Sequence, residues 1–212
     1  MKNIIILLGI PLILLSCNFE NREEKRITQT SEEEISIEKD EESDDLGEFK
    51  ITAEKIISKA QKNLMQAVTG AIEENGIAYA ISYCNEQALE LTSEVIEDER
   101  MTVSRVSHKY RNPANAANSE ELKIIQSYIE SLDQDIVPEP IVRTDDTFKI
   151  YYTPLLLASP LCLNCHGEVE KEIQVEDFIA IQMLYPNDKA VDFKMGELRG
   201  LWKVKVLKEP SI

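Results

Sequence analysis

Cys162-Leu163-Asn164-Cys165-His166 ties three chemically demanding side chains to one turn of backbone. Residues at i, i+3 and i+4 share a face of a helix, so two thiols and an imidazole must be offered together to a single occupant. A flat macrocycle meets that geometry: the thiols reach two vinyl groups on one porphyrin edge, and the imidazole nitrogen reaches the metal beneath. The C-x-x-C-H spacing therefore predicts covalent attachment of one haem c through Cys162 and Cys165, with His166 as the proximal iron ligand. A Cys162–Cys165 disulfide, feasible in an oxidising compartment, would leave His166 without a role. A structural zinc site needs four ligands, nominally these three with Cys84, but adjacent Cys165 and His166 fit one tetrahedral ion poorly.

The N-terminus supports the compartment that such a group requires. After Lys2, an apolar run from Ile4 to Leu15 ends at Ser16-Cys17. It has the layout of a secretory signal peptide and stops short of the roughly 20 apolar residues of a membrane-spanning helix. Leu14-Leu15-Ser16-Cys17 resembles a bacterial lipobox, so residues 1–17 are expected to be a lipoprotein signal peptide with Cys17 as the lipidated residue. Haem c is assembled outside the cytoplasm, where this leader would send the chain. The expected location is the cell envelope, anchored to the inner or outer membrane.

Residues 18–50 hold 13 acidic and five basic side chains, half of the net charge of −16 carried by all 212 residues. With few apolar side chains to offset ordering entropy and like charges that extend it, this segment is expected to be a disordered acidic stalk. The overall charge also excludes nucleic acid as a partner, because that requires a basic patch. With 43% apolar residues the remainder can bury a core, and four cysteines are too few for a disulfide-stapled scaffold.

Residues 51–212 read as one folded domain. Ala53, Ile56, Ile57, Ala60, Leu64, Ala67, Val68, Ala71 and Ile72 follow helical periodicity until Asn75-Gly76. A second helix carries Ile77, Ala80, Ile81, Cys84, Ala88, Leu91 and Ile96. Met101–Ser107 alternates as a strand, and Arg111–Asn118 is an ordered loop. Asn118 with Glu121 forms a capping pair for a helix through Leu132. Thr147–Ala158 and Leu198–Leu207 read as strands, whereas Glu176–Leu184 fits a helix or a strand. Helices first and strands later indicate an α+β fold with an antiparallel sheet.

The second axial position is open on the residues alone. Cys84 lies on the apolar face of the second helix, His108 follows a strand, and Met65, Met101, Met183 and Met195 are further candidates, although methionine commonly fills core gaps. Ser82–Asn85 (S-Y-C-N), Ser107–Asn115 (S-x-K-x-R-N-P-x-N), Cys162–Gly167 (C-L-N-C-H-G), Tyr185–Ala190 (Y-P-x-D-x-A) and Gly196–Gly200 (G-E-L-R-G) occur in that order. Together they resemble the bacterial PAS-like c-type haem domain family, although Asp192-Phe193 stands where Gly-Tyr would be expected. The resemblance implies a PAS-like sheet flanked by helices and a distal thiolate from Cys84. With no nucleophile–base–orienter set in view, the chain is expected not to be an enzyme. The expected role is a lipid-anchored monohaem protein passing electrons to a redox partner protein; the alternative is a haem-based redox or gas sensor acting through a separate partner.

Overall fold

A computed structural model describes residues 23–208, with side chains from residue 45 onward. The lipobox with Cys17 lies outside the described residues. The chain divides into two units, Met1–Gly47 and Glu48–Ile212. In the first, the described backbone is helical from Glu23, within the acidic segment. The second holds the sheet and every described cysteine. No helix among the described residues is long and apolar enough to cross a membrane.

Helix α1 (Glu23–Ser93) is broken at Asn75 (φ −144°, ψ 18°) and Gly76 (φ 82°, ψ −176°), so the two expected helices exist as segments on either side, the second ending at Ser93, short of the expected Ile96. A side chain at position 76 would clash with its own backbone at that φ/ψ, which glycine alone adopts readily. There follow β1 (Met101–Val106), a 3-10 turn (Pro113–Asn115), α2 (Ser119–Leu132), β2 (Ile141–Thr144), β3 (Phe148–Leu156), α3 (Pro160–His166), α4 (Val175–Leu184) and β4 (Leu198–Leu207). The strands form one sheet in the order β1-β4-β3-β2, antiparallel throughout. The α+β expectation holds, the ambiguous 176–184 segment is helical, and β2 is an edge strand that the sequence reading lacked.

Side-chain alternation along β4 gives the sheet two covered faces. On one, Trp202 and Val204 join Val103 and Tyr151 beneath Phe49, Ala53, Ile57 and Ala60 of α1. On the other, Leu201 joins Val106 and Tyr152 beneath Ile124, Ile125 and Tyr128 of α2. Each such large apolar side chain contributes about 1.5–3 kcal/mol on burial. Helix α2 starts where the sequence places it. The Asn118 side chain accepts from the Glu120 and Glu121 amides, and the Glu121 carboxylate accepts from the Asn118 amide. The other oxygen of this buried carboxylate takes the Lys203 ammonium at 2.7 Å, tying the cap to β4.

Candidate functional site

Between α1, the ends of β1, β3 and β4, and helix α3 lies a cavity of about 310 Å³. Helix α3 is short because its ends are fixed locally. Ser159 caps it by accepting from the Leu161 amide, Pro160 presets the first turn, and the Gly167 amide closes the last turn on the Leu163 carbonyl. A Cβ on Gly167 would lie 2.8 Å from that same carbonyl and 2.7 Å from the Glu172 side chain. The sharp exit after His166 therefore depends on the missing side chain.

Cys162, Cys165 and His166 all line the cavity, and so does Cys84 from the second segment of α1. The three thiols are free, so the C-x-x-C pair is not a disulfide. Among the described residues no cluster of His, Cys, Asp or Glu could hold a metal ion unaided, and the four-ligand zinc set is not assembled. Met65 also lines the cavity, whereas Met183 is 79% exposed and Met195 is 45% exposed. His108 does not line it. Its ring stands edge-on to Phe193 at 6.2 Å, with Nδ1 buried and without a partner among the described residues.

The imidazole of His166 is held in one orientation. Its Nδ1 donates to the Ala190 carbonyl at 2.8 Å, which fixes the tautomer and leaves Nε2 as the ring nitrogen with a lone pair. Burial, reinforced by the Arg199 and Arg111 charges, keeps this ring well below the ordinary histidine range and so neutral. Burial pushes the Cys165 thiol up to about 11 and raises that of Cys84, the latter opposed by the Arg105 and Arg111 charges.

Arginines are what the sequence reading missed, although two of them stand inside the quoted motifs. Arg111 donates Nη2 to the Cys165 carbonyl at 2.6 Å and to the Ala190 carbonyl at 3.2 Å, and Nε to Asp188 at 3.1 Å. Asp188 in turn accepts from the Ala190 amide. Three motifs thus converge on one task, positioning the carbonyl that orients His166. Arg199 donates Nη1 to Ser107 Oγ and to the Lys109 carbonyl, both at 2.8 Å. Arg105, the third arginine on the cavity wall, donates to the Ala88 carbonyl. The turn at Asp192 forms without glycine: Asp192 takes φ 60°, its amide bonds the Gly167 carbonyl, and Phe193 packs edge-on to His166.

Comparison with known proteins gives two matches that bear on this site. The Tll0287-like family model matches residues 23–206. A solved structure, described as the cyanobacterial heme-protein Tll0287, is similar with a TM-score of 0.51 and 20% identity, covering 80% of this chain and 98% of that one. At that identity the likeness concerns the fold. No curated protein matches significantly.

Proposed function

Given that the chain belongs to the Tll0287-like family, we propose that it is a lipid-anchored, extracytoplasmic monohaem c protein with a PAS-like sheet. It carries electrons to a redox partner protein and is not an enzyme. The observation that carries the reading is the convergence of Cys162, Cys165, Cys84 and His166 on one cavity, with the His166 imidazole neutral and locked through Nδ1. The solved relative is itself described as a heme protein.

The residues present fit such a group. Cys162 and Cys165 would hold it covalently from one turn of helix, His166 would ligate through Nε2, and Cys84 would ligate from α1. A haem held there supplies a one-electron iron couple. The chain's own contribution is orientation and exclusion of water. Arg111 and Asp188 hold the Ala190 carbonyl against His166, and leucines from β3 and α3 line the cavity. A thiolate at Cys84 would stabilise the oxidised state. Burial favours the neutral thiol, and that observation supports the second reading, a redox or gas sensor in which Cys84 leaves on reduction.

Covalent attachment tests the reading. Protein matured with the c-type assembly machinery keeps its colour through denaturing electrophoresis, and Cys162→Ala/Cys165→Ala loses it. Haem extracted freely by acidified organic solvent from the unmodified protein overturns the proposal.

A further inference from the structure

The cavity carries positive charge that its described lining does not balance. Arg105, Arg111 and Arg199 line it, and among the described residues no acidic side chain does. Arg111 has its counter-charge in Asp188, an ion pair whose side chains are 12% and 6% exposed. Among the described residues Arg105 and Arg199 have only neutral acceptors: the Ala88 carbonyl for the first, Ser107 Oγ and the Lys109 carbonyl for the second. Asp188 is near enough to Arg199 to be felt electrostatically, but its oxygens are engaged by Arg111 and the Ala190 amide. Beside Arg105, whose guanidinium carbon lies 5.8 Å from the Trp202 ring centroid, the indole Nε1 is buried without a partner among the described residues. Trp202 is 2% exposed and lines the same cavity.

Half-buried guanidinium groups on an aliphatic cavity wall are costly without a counter-anion once an occupant excludes water, and an unpaired buried N–H adds to that cost. The rest of the lining is mostly aliphatic. Such a wall is complementary to a ligand that is apolar over most of its surface and carries two anionic groups. A Cys84 thiolate would answer one positive charge, not two. On the haem reading above, on which this inference rests, we propose that Arg105 and Arg199 receive the two propionate carboxylates of the porphyrin. Arg111 belongs instead to the mounting of His166. Guanidinium suits this task because its fork of donors matches a carboxylate.

The test compares protohaem with protohaem dimethyl ester, identical except that the ester cannot ionise. Titrated into the full-length apoprotein, the free acid binds roughly tenfold or more tightly than the ester. The double variant Arg105→Gln/Arg199→Gln loses that preference. Equal affinity of the unmodified protein for both compounds, or a preference that survives in the double variant, overturns the assignment. The covalently matured holoprotein provides a second measurement that does not depend on uptake by apoprotein. In Arg105→Gln and in Arg199→Gln the propionate bending band of the resonance Raman spectrum shifts while the haem stays covalently attached. A band unchanged in both variants also overturns the assignment. If the unmodified chain neither binds protohaem nor acquires covalent haem, the haem reading itself fails and takes this inference with it.

Discussion

Cys84 and His108 are equal candidates for an axial ligand on sequence alone, and packing separates them. Cys84 faces the cavity shared by Cys165 and His166, while His108 turns to Phe193 outside it. An anionic sulfur stabilises ferric over ferrous iron. Cys84→Ser is therefore expected to change the ferric absorption spectrum and raise the reduction potential, whereas His108→Ala leaves both nearly unchanged; the reverse pattern in spectroelectrochemical titration would make His108 the ligand. Asp192 offers an independent test at the same scale. Its φ of 60° is left-handed backbone that favours glycine, and its side chain is exposed. Asp192→Gly is expected to raise stability by about 1 kcal/mol or less, relief of the turn being partly offset by the greater freedom of glycine when unfolded. A lower urea midpoint for that variant would show that the Asp192 side chain supports the turn.

At the scale of elements, α2 shows how far local rules reach. Its start is written in Asn118 and Glu121, whose reciprocal bonds satisfy helix-terminal amides without help from elsewhere. Asn118→Ala is expected to cost about 1 kcal/mol in urea denaturation. The β2–β3 turn rests on Asp145, whose Oδ1 accepts from the Thr147 and Phe148 amides at 2.8 Å each. These bonds hold its carboxyl below the ordinary value of 3.8. A carboxyl depressed by folding stabilises above its unfolded pKa and loses that contribution as pH falls through the folded one. The melting difference between Asp145→Ala and the parent should thus be full near neutrality and narrow below pH 3.8. Strands β1, β3 and β4 were legible because each alternates or concentrates β-branched and aromatic side chains over six or more residues. The four residues of β2 are too few to show a period, and 176–184 is apolar at both periods, so only packing decides it. In the site, Cys162, Cys165 and His166 were legible because one turn of backbone fixes their relation. The arginine wall was not, because Arg105, Arg111 and Arg199 meet only after β1 pairs with β4 and Arg111 reaches the Cys165 carbonyl of α3.

For the whole molecule, the question is what residues 1–47 contribute to the rest. Each described core cluster is built from residues at or beyond Phe49, and the candidate site begins at Gln61. Residues 18–47 hold half the net charge and few apolar side chains, so they have little with which to stabilise the second unit by burial. The second unit is therefore expected to fold without them. Protein comprising residues 48–212, matured with haem, should melt at the same temperature as the full chain and show the same spectrum. For a chain of this size about 1 kcal/mol of lost stabilisation lowers the melting temperature by roughly 2–4 °C, so calorimetry resolves even a modest contribution. A drop of that size would mean that the helical stretch from Glu23 is a working part of the fold. The complementary variant keeps every residue of the second unit and changes only the proposed lipidation site. Cys17→Ala in the full-length chain should move the protein from the membrane fraction to the soluble fraction with its melting temperature unchanged. Retention in the membrane fraction after that change would place the attachment elsewhere in the molecule and end the lipid-anchor reading.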